Sequence, residues 1–351
     1  MYIGNEIYQK DLETALISIV NYRELFQKKF LVTGATGLVG SFIVDLLLYL
    51  NQRENAEIEV YALARSEDSL RRRFQSLQHM KELHFLVQDV IEALRLQERV
   101  DYIIHAAGDG FPSAFREHPV DTMTPAVLGT YQLLQYANQQ RIDKFIYLSS
   151  GEVYGKIYGK EHAFLETETG NIDSMDARSC YPMAKRCAET LCISFMEQYQ
   201  VPTVISRLSH TYGANVSERD NRATVQFMKN ALSHRNIILH SSGSQMRSYT
   251  YVADCVSGIL TVLLKGEAGE AYNVANAASR VTIAEFAQIV AEVSGSQCIF
   301  EQPTDCEKNE LTPIDYAVLA SDKLEKLGWM GQYDICSGVS NMLEIAGQIR
   351  R

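Results

Sequence analysis

The chain has 351 residues, enough for one large core or two modest domains, and its 46% hydrophobic and 22% charged content is ordinary for a globular fold. A formal net charge of −10 argues against nucleic acid or an anionic membrane as a partner, while one anionic small molecule needs only a few local cations. No apolar run approaches the ~20 residues of a membrane span. The N-terminus lacks a signal-peptide layout, and seven cysteines without a CxxC pair suit free thiols in the cytoplasm.

Residues 1–28 place Leu12, Leu16, Ile19 and Val20 at helical spacing, which predicts a short amphipathic helical extension. An apolar strand over 30–33 then runs into Gly34, Gly37 and Gly40, and an apolar helix over 38–50 follows. Strand, tight glycine turn and helix are the arrangement in which a pyrophosphate meets backbone N–H groups and the positive end of a helix dipole. The spacing is GxxGxxG rather than GxGxxG. Further strands are predicted at 57–63, 83–88, 102–105, 144–149 and 203–208, with helices including 125–140 and 181–198. This alternation predicts a parallel, doubly wound α/β sheet. Polar stretches at 161–179 and 214–221 read as loops around a substrate.

Strand ends carry the candidate site, because ligands of open α/β sheets bind at carboxyl ends. The second strand ends Ala64-Arg65-Ser66, with no acid before Glu67 to read the ribose 2′-hydroxyl of NAD. An arginine and a hydroxyl there suit the 2′-phosphate of NADP, so both cofactors stay open. Asp89-Val90 follow the third strand, Ala106-Ala107 the fourth, and Ser149-Ser150-Gly151-Glu152 close the fifth. Downstream, Tyr181 and Lys185 stand four residues apart, on one face of a helix. An ammonium beside a phenol stabilises the phenolate, so Lys185 is expected to lower the Tyr181 pKa towards neutrality and make Tyr181 a general base.

With these segments in this order, the chain resembles the extended short-chain dehydrogenase/reductases of the NAD-dependent epimerase/dehydratase group, which modify nucleotide sugars. The resemblance runs from about Lys29 to Trp329. It implies a Rossmann-type domain over 29–206 and a smaller, mainly C-terminal substrate domain over 207–351 that interlaces with the sheet. It implies cofactor contacts from Gly34, Thr36, Gly37, Leu38, Val39, Gly40, Arg65, Asp89, Val90, Ala106 and Ala107, joined by Tyr181 and Lys185. Tyr181 is then the base, Lys185 its electrostatic partner and a ribose ligand, and Ser150 the hydroxyl that orients the substrate. A homodimer through a four-helix bundle of 125–140 and 181–198 is implied as well, with no metal.

The same resemblance bears on the reaction. A ketone at sugar C4 acidifies the C5 hydrogen, and Glu152 is placed as a second base. Dehydratases of the group read acid-acid at this point and decarboxylases hydroxyl-acid; Gly151-Glu152 keeps the base and lacks its partner. Residues 177–186 and 243–252 resemble the RSCYxxxKR and GSQTR stretches of UDP-glucuronate decarboxylases, and Asp220-Asn221-Arg222 parallels their DGR. Arg247 and Arg222 are thus implied substrate ligands, with Ser150, Glu152 and His210. His210 departs from the family's Asn, and Ala126 from another. The leading expectation is transient C4 oxidation followed by UDP-glucuronate decarboxylation. Epimerisation at C4, 4,6-dehydration and NADPH-dependent keto-sugar reduction remain alternatives.

Overall fold

The computed structural model describes residues 2–301 and 315–350. Helix α1 (Glu6–Ser18) starts at Asn5, whose side chain accepts the Tyr8 N–H at 2.9 Å. Strand β1 (Lys29–Thr33) buries Phe30, Leu31, Val32 and Thr33 in succession, as a parallel strand covered on both faces does. Next come α2 (Leu38–Glu54), β2 (Glu59–Ala64), α3 (Glu67–Arg73), β3 (Leu83–Val87), β4 (Tyr102–His105), α4 (Pro112–Glu117), α5 (Pro119–Thr124) and α6 (Thr130–Gln140). They are followed by β5 (Lys144–Ser150), α7 (Cys180–Tyr199), β6 (Thr203–Leu208), β7 (His210–Tyr212), α8 (Ala223–Leu232), β8 (Ile237–Leu239), β9 (Met246–Tyr251), α9 (Val252–Lys265) and β10 (Ala271–Val274).

Seven parallel strands form the main sheet in the order β10-β6-β5-β4-β1-β2-β3. The order reverses between β1 and β4, which opens a crevice at their carboxyl ends. Six of these strands are the predicted ones; the seventh, β10, comes from the C-terminal third of the chain. Beyond it, β9 pairs with β7, with β11 (Arg280–Thr282) and with β13 (Tyr316–Ala317), and β8 pairs with β12 (Cys298–Phe300).

Three boundaries differ by two or more residues from the sequence expectation, and the first is α2, which runs on to Glu54 rather than ending at 50. Strand β2 starts at Glu59 rather than 57, because Glu57 takes φ +54° and the Asn51 side chain brackets Ile58 with two 2.8 Å bonds to its backbone. The helix expected from Pro125 instead continues α5 through a π turn, Pro125–Gly129, into α6. Among the described residues no helix is long and apolar enough to cross a membrane.

The N-terminal extension is built into the body. Tyr8 donates to the Asp45 carboxylate of α2 at 2.6 Å, and Arg73 of α3 pairs with the same buried carboxylate at 2.5 Å. The Arg73 guanidinium lies 4.5 Å from the Tyr2 ring centre. Asp11, fully buried, accepts from Tyr251, Tyr333 and Asn341 at 2.5, 2.8 and 2.7 Å.

Replacing Arg73 with Met strands the Asp45 carboxylate in the core, and breaking a buried pair on one side costs about 3–5 kcal/mol. Urea unfolding of Arg73→Met should show that loss. Gly34→Ala forces a side chain onto a backbone at φ +62°, with its Cβ 2.6 Å from the Ala106 carbonyl oxygen. Backbone strain alone costs about 1–3 kcal/mol, and the variant should melt lower and lose dinucleotide affinity in a calorimetric titration.

Candidate functional site

A cleft of about 1250 Å³ runs along the carboxyl edge of the sheet, from Arg65 and Arg72 at one end to Arg247 and Tyr249 at the other. Its floor is the glycine turn. A Cβ at Gly34 would strike Ala106, and one at Gly40 would overlap the Gly34 carbonyl, so β1, β4 and α2 converge with nothing but backbone between them. Gly37 caps α2 without a side chain, which turns first-turn N–H groups towards the cleft beside Thr36, Leu38 and Val39. This cradle suits a pyrophosphate, because any larger residue at 34 or 40 would close it.

Ala106 and Ala107 form the facing wall. They are fixed from behind: the Ala107 N–H donates to Thr33 Oγ1 at 3.2 Å, and Thr33 Oγ1 lies 2.8 Å from His105 Nδ1. His105 Nε2 faces the Pro125 carbonyl at 3.2 Å. That carbonyl can only accept, which assigns the ring proton to Nε2 and makes Nδ1 the acceptor of the Thr33 hydroxyl. Burial first, and then the Lys185 charge, push His105 down to about 3, so it is a neutral strut.

At the end of β2, Arg65 is exposed on the cleft wall, and no carboxylate takes the ribose position there. The Ser66 hydroxyl expected beside it is engaged as the cap of α3, accepting the Ser69 N–H at 3.2 Å. Asp89 Oδ1 accepts the Ile91 N–H at 3.2 Å, and Val90 packs beneath Gly129. Both line the cleft.

The chemistry-bearing groups meet where β5 ends and α7 begins. Pro182 sits in the first turn of α7, where its missing N–H costs nothing, and the helix turns Tyr181 into the cleft. The Ser150 hydroxyl hydrogen-bonds the Tyr181 phenol, and it also accepts the Glu152 N–H at 3.2 Å.

Two expectations for this pair are corrected. Lys185 shares the helix face, but its Nζ lies 5.7 Å from the Tyr181 ring centre and donates to the Leu148 carbonyl at 2.6 Å. It is buried, pushed down to about 8 by desolvation, and is the one sequence-selected residue absent from the cleft wall. Tyr181 in turn is pushed up to about 12, not lowered. Burial is the main cause and the Glu152 charge adds to it, while Ser150, Arg222 and Arg178 oppose them only in part.

The Tyr181 ring stacks on Phe115 of α4, with centroids 4.5 Å apart and planes 19° from parallel. The Arg178 guanidinium covers Phe115 at 4.8 Å and pairs with Glu152 at 3.4 Å. Neither was selected from the sequence. Arg178 lies within residues 177–186, where spacing alone assigns it no role, and no local pattern around Phe115 distinguishes it from a core phenylalanine.

On the far wall, His210 opens on the cleft with its ring 5.7 Å from that of Tyr249. Desolvation at the cleft wall, then the Arg247 and Arg222 charges, push its pKa down, so the imidazole is neutral at pH 7 although its side chain keeps surface open to the cleft. Arg222 forks onto the buried Asp220 carboxylate at 2.6–3.0 Å and donates to the Thr211 carbonyl at 3.2 Å. Arg247 is 2% exposed, and its Nη1 donates to the Met246 and Asp315 carbonyls at 2.9 and 3.3 Å. Arg222 and Arg247 both belong to the cleft lining.

Residues 30–275 match the NAD dependent epimerase/dehydratase family. UDP-glucuronic acid decarboxylase 6 of Arabidopsis thaliana is 30% identical over 325 residues, covering 90% of this chain and 88% of that protein. UDP-glucuronic acid decarboxylase 1 of Danio rerio is 28% identical over 274 residues, covering 77% and 62%. Among solved structures, UDP-glucuronic acid 4-epimerase from Bacillus cereus, in complex with UDP-glucuronic acid and NAD, superposes with a TM-score of 0.77 at 23% identity, covering 92% and 99%. The NAD complex of dTDP-glucose 4,6-dehydratase from Bacillus anthracis superposes with a TM-score of 0.75 at 21% identity, covering 92% and 97%. Fold, glycine turn and family match agree: the chain belongs to the NAD dependent epimerase/dehydratase family.

Proposed function

We propose that the protein binds NAD and a nucleotide sugar, oxidises the sugar at C4 transiently, and decarboxylates a UDP-hexuronate. The observation that carries this reading is the meeting of Ser150, Glu152 and Tyr181 at one point of the cleft, with Arg247 on the opposite wall. Similarity to UDP-glucuronic acid decarboxylases over nine-tenths of the chain supports it. In this division of labour the sheet through residue 206 holds the dinucleotide on Gly34, Thr36, Gly37, Leu38, Val39 and Gly40. Arg65, Asp89 and Val90 flank the adenosine, and residues from 207 onward hold the nucleotide sugar.

When bound, NAD would accept the hydrogen of C4 with its two electrons and, after carbon dioxide is lost and C5 is protonated, would return them to C4, so that the pentose leaves with its C4 hydroxyl restored. Tyr181 Oη takes the O4 proton, while Ser150 holds the same oxygen. A cationic cofactor bound in the cleft would oppose the burial that keeps the phenol protonated in the free protein. Once C4 is a ketone, a C5 carboxylate is a β-keto acid. The C5–C6 bond breaks, carbon dioxide leaves, and its electron pair moves into the C4 enolate oxygen, where Ser150 and the Tyr181 hydroxyl donate hydrogen bonds. Glu152 serves proton transfer at C5, and Arg247 holds the substrate anion, for which a planar guanidinium is suited. Gly151 supplies no acid for a leaving hydroxyl, which argues against 4,6-elimination.

We propose further that two copies associate through α5–α6 and α7, where Val120, Leu128, Tyr131 and Tyr199 are 68%, 47%, 41% and 45% exposed. The six described cysteines are all free, in keeping with a reducing cytoplasm.

Proton NMR of the purified protein with UDP-glucuronate and NAD should show a pentose product without the C6 carboxylate. An epimeric hexuronate would replace this reading with 4-epimerisation. Tyr181→Phe should lose at least about 10²-fold in turnover while binding NAD normally, and wild-type turnover would remove Tyr181 as the base. In the cofactor-free protein Tyr181 should stay a phenol until well above pH 10. Ultraviolet difference titration against Tyr181→Phe reads that directly, and a midpoint near neutrality would contradict it. Leu128→Glu with Tyr131→Glu should shift sedimentation to a monomer.

A further inference from the structure

Four groups form an unbroken series across the reaction point: the Tyr181 ring, the Phe115 ring at 4.5 Å, the Arg178 guanidinium at 4.8 Å from Phe115, and the Glu152 carboxylate at 3.4 Å from Arg178. They come from three separate segments. Phe115 belongs to α4, Glu152 to the turn after β5, Arg178 to the short 3-10 turn Ala177–Ser179 that leads into α7, and Tyr181 to the start of α7 itself. Phe115 is 2% exposed, whereas Arg178 and Glu152 keep about a third of their side-chain surface open to the cleft. Helix α4 is itself tied down, because Asn221 accepts both the backbone N–H and the hydroxyl of Ser113 at 3.2 Å.

We propose that Arg178 is a positioning residue that sets Tyr181 and Glu152 relative to each other, through Phe115 on one side and an ion pair on the other. The inference rests on the function proposed above, in which these two groups act in successive proton transfers at C4 and C5. A guanidinium suits the task because its planar face covers an aromatic ring while its N–H edge meets a carboxylate. A lysine can pair with Glu152 but offers no flat face to Phe115. The charged groups around the Tyr181 phenol are Glu152, Arg178, Arg222 and, on its own helix, Lys185; α4 contributes the uncharged Phe115. Removing Arg178 therefore leaves the Glu152 charge less opposed. It also frees Phe115 and the Tyr181 ring to shift, and displacement by about 1 Å costs on the order of 10²-fold in rate.

The test uses the full-length protein with NAD bound and the variants Arg178→Gln, Arg178→Lys and Phe115→Leu. With UDP-glucuronate, Arg178→Gln should lower kcat by about 10–10²-fold with KM changed less than about threefold. Arg178→Lys should recover only part of that loss. In parallel, fluorotyrosine placed at 181 gives one fluorine resonance that reports both ring packing and phenol titration, without any substrate. Its titration midpoint should move up in Arg178→Gln, by on the order of one pH unit, and its chemical shift should change in Phe115→Leu. An unmoved fluorine titration in Arg178→Gln overturns the proposal whatever the substrate. So does a rise in KM at constant kcat, which would make Arg178 a ligand of the substrate instead. Absence of turnover in the wild type counts against the proposed function, and the fluorine titration then decides the role of Arg178 by itself.

Discussion

The closed turn at Gly34 is the constraint on which the site depends. Its Cα lies against the Ala106 carbonyl on one side and against Gly40 on the other. Strand β1, the end of β4 and the first turn of α2 are therefore locked at van der Waals distance. The cleft opens from that point, because the sheet reverses its winding between β1 and β4. Thr33, His105 and the Pro125 carbonyl extend the same lock into the π turn. The helices α5 to α6 thus take their position from a hydrogen-bonded series that starts beside the cofactor cradle.

Electrostatics at the reaction point follow from burial more than from charge pairing. The free protein holds the Tyr181 phenol protonated and Lys185 depressed to about 8. Both shifts have the same cause, which is loss of water around an ionisable group. The site is thereby primed to respond to whatever charge enters the cleft. The neutral His105 fits the same logic, since protonating it would place a cation in the core. Its folded-state value lies far below 6.5, so the folded form resists protonation. Its contribution to stability is complete above that value and declines as pH falls below it.

Much of this was legible in the sequence, for identifiable reasons. Short apolar runs such as Phe30 to Thr33, bounded by a glycine turn, read as strands buried on both faces, and Gly34, Gly37 and Gly40 mark that turn by what their missing side chains allow. Tyr181, Ser150 and Glu152 were found because each lies at a strand end or a helix start. Phe115 and Arg178 were not, because their significance lies in contacts between segments more than sixty residues apart, Phe115 reaching Arg178 and Tyr181 across that gap. The Tyr181 pKa was misjudged for a similar reason. Spacing shows that Lys185 shares its helix face, but desolvation depends on everything else packed around the ring. The shift of β2 to Glu59 needed the Asn51 side chain, a contact no periodicity reveals.

The buried carboxylate of Asp11 joins the two ends of the chain. Its partners Tyr251, Tyr333 and Asn341 follow it by 240, 322 and 330 residues. During synthesis α1 is made at least 240 residues before the hydroxyls and amide that satisfy its central carboxylate. Until then, seating this helix in an apolar core would strand a charge there, at a cost of several kcal/mol. Docking of α1 therefore waits on residues made much later than the helix itself. Contacts of such sequence separation slow folding, because loop closure precedes any gain from them. A protein truncated before residue 333 lacks two of the three partners, and its N-terminal amphipathic helix is left for chaperones to meet.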